Sequence, residues 1–148
     1  MTEQEIKELE LTYSESKIQH YCVSWFRHTF PEVGNLLFAV PNGGWRGVKA
    51  AMTCKYEGQV NGVADLILLY PSGGKSSLCI EMKVPKRKGS QAGKQSKYQM
   101  EWQQLVESNG STYHICHGLF EFIEAVCNYI RVPSKSYKEQ ALDLYPLY

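Results

Sequence analysis

The chain has 148 residues, 43% of them hydrophobic, and 16 Lys and Arg against 15 Asp and Glu give a formal net charge of +1. That length suits one domain with a real core, and the near-neutral balance excludes a globally basic nucleic-acid binder, so a polyanion must be met by local patches. The five cysteines (Cys22, Cys54, Cys79, Cys116, Cys127) are an odd number with no C-x-x-C pair, which excludes a disulfide framework; the acidic start and the lack of a long apolar stretch are read as no secretory leader and no membrane span, leaving a cytoplasmic protein as the expectation.

Residues 1–13 are charged and are expected to be flexible. Ser14 is a plausible N-cap, with Glu15 in the first turn, where its charge suits the helix dipole. Ile18, Tyr21, Cys22, Trp25 and Phe26 recur at spacings of three and four, the stripe of an amphipathic helix ending before Pro31. The run 36–40 predicts a short buried strand stopped by Pro41. Pro41-Asn42-Gly43-Gly44 signals a turn, and 46–56 suit a short helix. Asp65 to Tyr70 is apolar on both faces and predicts a central strand. Pro71 to Lys75 predicts a hairpin, and Leu78 to Lys83 the returning strand.

Val84 to Gly93 is polar and basic, the composition of a loop. The following segment predicts a helix over 94–108, with Gly110 as its stop. Thr112 to Cys116 predicts a fourth strand. Leu119, Phe122, Ile123, Val126, Cys127 and Ile130 form a further helical stripe ending near Pro133. The tail from Ser134, rich in Tyr and Leu, is either a docked arm or a partner surface. The expected class is α/β (α+β): a small four-stranded mixed sheet flanked by helices, in the order α-β-(α)-β-β-α-β-α, with one domain over 14–132 and a tail over 133–148.

Chemistry concentrates at two strand ends. Glu81 and Lys83 sit two apart on a strand and so share a face, while Ile80 and Met82 point the other way. Alone, such a triplet equally describes a surface ion pair. Asp65 changes the balance, because a carboxylate entering an apolar strand is costly unless paired or metal-bound. Its alternative is a loop-side cap, but the hairpin brings it back toward Glu81 and Lys83. Two converging acids call for a cation, and Mg²⁺ is commonly held by one or two carboxylates plus phosphate oxygens. Lys83 would then orient water or offset charge in the transition state.

Gln99 and Trp102 share a helix face. Gln99 either supports the site or is solvated, and Trp102 reads as a core anchor. From Lys83 to Lys97 the chain carries Lys83, Lys86, Arg87, Lys88, Lys94 and Lys97 with no acid between them. Such a run is either a solvated loop or, beside a metal site, a clamp on the sugar-phosphate backbone. Arg46 and Lys49 would extend that surface, and Trp45 is either core or a stacking platform for a base. His114, Cys116 and His117 lack a fourth zinc ligand, and no P-loop or dinucleotide fingerprint occurs.

Several segments, in order, resemble the VRR-Nuc family of the PD-(D/E)XK nuclease superfamily. They are Ser14-Glu15-Ser16-Lys17-Ile18-Gln19, Val40-Pro41-Asn42-Gly43-Gly44, Gly62-Val63-Ala64-Asp65-Leu66, Ile80-Glu81-Met82-Lys83 and Ser96-Lys97-Tyr98-Gln99-Met100-Glu101-Trp102. The likeness spans about Ser14 to Arg131. Ala64 stands where such families usually carry the motif's proline, which does no chemistry. The resemblance implies a restriction-endonuclease-like core. It implies that Asp65 and Glu81 bind Mg²⁺ or Mn²⁺, with the Met82 backbone carbonyl a further ligand. Lys83 is then catalytic, Gln99 supports the site, and Glu15 becomes both a catalytic and a metal-ligand candidate.

The expected DNA-contacting residues are Asn42, Gly43, Arg46, Lys49, Lys86, Arg87, Lys88, Lys94 and Lys97. Stand-alone members look like homodimeric nucleases similar to Holliday junction resolvases, of bacterial or phage type. The expectation is therefore a DNA endonuclease with no organic cofactor, acting on branched DNA as a homodimer. Its alternatives are a nuclease for flapped, nicked or linear DNA, and a non-catalytic nucleic-acid-binding module.

Overall fold

In the computed structural model, which describes residues 1–41 and 47–148, the amino-terminal helices are α1 (Glu3–Glu10) and α2 (Glu15–Thr29). A 3-10 turn (Pro31–Leu36), β1 (Leu37–Ala39), α3 (Val48–Tyr56), β2 (Leu66–Leu68) and β3 (Leu78–Met82) follow. The second half holds α4 (Lys97–Ser108), β4 (Thr112–Cys116), α5 (Leu119–Ile130), α6 (Lys135–Leu144) and a closing 3-10 turn (Tyr145–Leu147). The four strands form one mixed sheet in the order β1-β2-β3-β4. The β1/β2 and β2/β3 pairs are antiparallel, and β3/β4 is parallel, joined through α4. This is the expected α+β class, with a four-stranded mixed sheet flanked by helices.

Strand alternation divides the molecule into two unequal sides. Leu66, Leu68, Leu78, Ile80, Met82 and Cys116 face a large core filled by Trp25 and Phe26 of α2 and by Phe122, Ile123 and Val126 of α5. Each such fully buried side chain contributes about 1.5–3 kcal/mol. The opposite face carries Ile67, Cys79, Tyr113 and Ile115 against Ala64 and against Trp102 and Val106 of α4. That second core is small, so polar groups at the strand ends can lie beneath α4 without displacing the main core.

Four expectations are corrected. Residues 1–13 are not a flexible arm. Thr2 and Glu5 form a capping box that starts α1, and Ile6 is fully buried. The first strand is an edge strand, with Phe38 and Ala39 open to solvent, rather than a buried one. The strand after Asp65 is shorter than expected, because Leu69 and Tyr70 emerge from the sheet. The fourth helix begins at Lys97, not at 94, because Ser96 and Gln99 close a capping box there.

The tail is docked: it forms α6, Ala141 and Tyr145 are buried, and Tyr145 stacks on Tyr21 at 4.4 Å between ring centroids. All five cysteines are free thiols. Among the described residues no helix is long and apolar enough to cross a membrane.

Candidate active site

Register brings two acids together. Leu66 pairs with Ile80 in the antiparallel β2/β3 ladder. One step outward, Asp65 therefore lies across from Glu81, on the face opposite the main core. Such cross-strand neighbours stand ~4.5–5.5 Å apart at Cβ. Asp65 is held there at both ends. Its Oδ2 accepts the Met82 backbone N–H at 2.7 Å, and its carbonyl accepts the Val40 N–H at 2.8 Å, extending the β1 pairing.

Glu81 is completely buried, and Oε1 lies 3.0 Å from the Lys83 ammonium, whose side chain is only 13% exposed. The surface ion pair that an E-x-K triplet usually represents is thus not what forms here. Oε1 stands close to that ammonium but makes no hydrogen bond of good geometry among the described residues. Oε1 is charge-paired with Lys83, and a carboxylate oxygen has a second lone pair with which to meet a further partner.

Glu15 and Gln99 close the site from two helices. Ser14 caps α2 by accepting from the Lys17 N–H at 3.1 Å, which sets Glu15 as the first helical residue. Burial raises the Glu15 carboxyl above the usual range. The negative charge of Asp65 adds to the rise, the Lys83 ammonium opposes it, and Glu81 adds again. All four charged groups therefore share one electrostatic neighbourhood.

Gln99 has two duties through one oxygen. Its Oε1 accepts the Ser96 N–H at 2.8 Å, completing the α4 capping box, and accepts Lys83 Nζ at 3.3 Å. The loop before Asp65 meets this helix start at Gly62 (φ +81°), where an added Cβ would sit 2.4 Å from the Tyr98 carbonyl carbon. Only glycine permits that approach. Trp102, one turn on, packs edge-on against Tyr113 at 6.2 Å and serves the small core.

The structure thus brings Glu15, Asp65, Glu81, Lys83 and Gln99 together. Among the described residues, no three side chains of His, Cys, Asp or Glu make a ready-made cation cage. Of the expected DNA-contacting residues, Asn42, Gly43 and Arg46 lie outside the described residues, as does Trp45. Lys49, Lys86, Lys88, Lys94 and Lys97 are exposed. Arg87 is different: its guanidinium donates to the Tyr13 carbonyl in the α1–α2 turn, two residues before Glu15. It ties the basic loop to that turn instead of standing in solvent.

Sequence reasoning passed over two residues that touch Glu81. Tyr113 OH donates to Glu81 Oε2. Gln95 Nε2 donates to the same oxygen at 3.1 Å. The Tyr113 phenol is pushed well above its ordinary pKa, first by burial and then by this bond. Alternation on β4, which sets His114 and Cys116 on one face, could have placed Tyr113 on the other. Its pairing beside β3 was not legible locally.

An α+β domain that presents two opposed acids and a lysine at the ends of its central strands offers a candidate reaction centre. Comparison with known families makes this specific. The VRR-NUC domain model matches residues 2–120, and the chain belongs to that family, a group of nucleases within the restriction-endonuclease-like superfamily. A solved structure described as a VRR_NUC domain protein is similar in fold, with a TM-score of 0.68 at 19% identity, covering 81% of this chain and 90% of that one. No curated protein sequence matches the chain.

Proposed function

We propose that this nuclease is a divalent-metal-dependent DNA endonuclease whose reaction centre is Asp65, Glu81 and Lys83, supported by Glu15 and Gln99. The observation that carries the reading is the fully buried Glu81, paired at 3.0 Å with the Lys83 ammonium and lying across the β2/β3 ladder from Asp65. The donor set suits Mg²⁺ or Mn²⁺. Both prefer hard oxygen ligands, and Mg²⁺ is commonly held by one or two carboxylates with phosphate oxygens and waters completing the shell. A three-acid cage is therefore not required. Asp65 and Glu81 would hold the ion, the Met82 carbonyl offers a further oxygen, and Glu15 is the reserve carboxylate. When bound, the ion supplies positive charge against the phosphodiester and acidifies water.

The protein's own groups account for the rest. The Lys83 ammonium has three donors; one goes to Gln99 Oε1, and the charge is paired with Glu81 Oε1. A remaining donor can orient an incoming water or offset charge developing on the phosphate, an interaction that matters most in the transition state. Gln99 holds the ammonium in place through a helix cap and so ties it to a rigid element. Lys86, Lys88, Lys94 and Lys97 suit the DNA backbone, which is read by charge and positions without specifying. Asn42, Gly43, Arg46 and Lys49 remain proposed DNA contacts from the sequence. Branched DNA, Holliday junctions included, is the favoured substrate, and paired incision there would use a homodimer. A non-catalytic binding module has no need of a buried acid–lysine pair facing a second acid, which counts against that alternative.

The test is incubation with labelled four-way, flapped, nicked and linear DNA, in Mn²⁺, in Mg²⁺ and in EDTA. Metal-dependent cleavage, fastest on branched substrates, is the expected result. No cleavage of any DNA in either metal would reject the reading. Cleavage without branch preference, or sedimentation showing only monomer at micromolar protein, would remove the junction and dimer parts.

A further inference from the structure

We infer that Tyr113 and Gln95 are positioning residues for Glu81, and that their shared grip on Oε2 is what leaves Oε1 available to the cation. This inference rests on the metal-dependent reading above. A glutamate side chain has three rotatable bonds. Beside an ammonium, its carboxylate could turn to offer both oxygens to the lysine, a strong charge-assisted arrangement that would withdraw the acid from any metal. Here that rotation is blocked from two directions. Tyr113 reaches Oε2 from β4, the parallel neighbour of β3. Gln95 reaches it from the segment leading into α4.

Both are themselves held. The Gln95 amide also donates to Gln103 Oε1 at 2.8 Å and lies 3.3 Å from the Tyr113 hydroxyl. The Tyr113 ring packs against Trp102. The result is a connected polar cluster from α4 to Glu81, in which Oε2 is hydrogen-bonded to the protein and Oε1 is paired with the Lys83 ammonium. Supporting groups of this kind orient metal-binding carboxylates, and their loss typically weakens metal affinity or activity by 10–100-fold.

A purely structural role makes a different forecast. If the cluster served only to satisfy a buried acid, removing a member would lower the melting temperature and leave metal affinity untouched. The experiment measures Mn²⁺ binding to DNA-free protein, by the resonance signal of free Mn²⁺, for wild type, Tyr113→Phe and Gln95→Ala. It also measures the Mn²⁺ dependence of DNA cleavage and the melting temperature of each protein.

Each folded variant should bind Mn²⁺ about 10–100-fold more weakly. The Mn²⁺ concentration for half-maximal cleavage should rise by the same factor, while the rate at saturating Mn²⁺ falls less. Gln95 is only half-buried, so its variant carries the test should Tyr113→Phe fail to fold. Folded variants that bind Mn²⁺ within twofold of wild type would overturn the inference while leaving the nuclease reading intact. A wild-type protein that neither binds Mn²⁺ nor cleaves DNA would sink both.

Discussion

Two buried glutamates, Glu10 and Glu81, lie in different parts of the molecule and are almost equally hidden, at 3% and 0% exposure. Glu10 ends α1 and faces the start of α5. Its Oε1 accepts the Leu119 backbone N–H at 2.8 Å, satisfying one of the orphan donors at that helix terminus. Gly118 (φ +125°) leaves room for it, since a Cβ there would meet Oε2 at 2.5 Å. Glu81 instead is met by side chains alone, with Tyr113 and Gln95 on Oε2 and the Lys83 ammonium 3.0 Å from Oε1. Burial alone therefore does not mark a reaction centre. Glu10 is fastened to a helix terminus through backbone, whereas Glu81 is paired with a side-chain cation beside a second acid.

The comparison breaks most sharply at Lys83. Lys83→Ala should lower DNA cleavage by at least ~10²–10³-fold, with DNA binding, followed by gel shift in Ca²⁺, nearly unchanged. A variant cleaving at near wild-type rate would place the chemistry elsewhere. The corresponding change at the other end, Glu10→Gln, should leave cleavage intact.

Gly62 is the next lever. Gly62→Ala adds a side chain at positive φ and drives it into the backbone of Tyr98 and Gln99. The conformational strain and the clash together should cost about 2–4 kcal/mol, and the shifted helix start should slow cleavage as well. Chemical denaturation measures the first effect, and a rate measured below the melting transition measures the second. Full stability together with full activity would show that the loop and helix yield without consequence.

The smallest effect sharpens the Glu10 side. Burial pushes its carboxyl from 4.5 up to about 7, with the Leu119 amide and Lys7 opposing and Glu121 adding to the rise. The folded protein therefore holds that proton more tightly than the unfolded chain. The resulting stabilisation is complete below pH 4.5 and is lost as pH rises through about 7. Its ceiling is roughly 3 kcal/mol. Denaturation at pH 5 and pH 7.5 should show wild type losing stability relative to Glu10→Gln as pH rises. Parallel profiles for the two proteins would remove Glu10 from the pH dependence.

Much of this molecule was legible locally. The stripes of α2 and α5, the alternation around Ile80 and Met82, and the turn at 71–75 are repeated short-range signals, and the order of strands followed from them. Two capping boxes were equally readable, Thr2 with Glu5 and Ser96 with Gln99. Each would have corrected an element boundary, since a hydroxyl three residues before Glu or Gln satisfies orphan backbone donors whatever the tertiary context. The burial of Glu10 was not legible, because nothing near it in the chain distinguishes it from Glu3 or Glu8.

Composition and spacing by themselves determined the main helical stripes, the strand runs and the α+β class, because side-chain direction along a strand or helix is a local property of the backbone. Only the tertiary structure decided how those side chains are completed. Tyr113 lies 32 residues from Glu81, and Glu10 lies 109 from Leu119. Such partners are chosen by how sheet and helices pack, since a hydrogen bond depends on atoms meeting in space and carries no periodic trace in the chain.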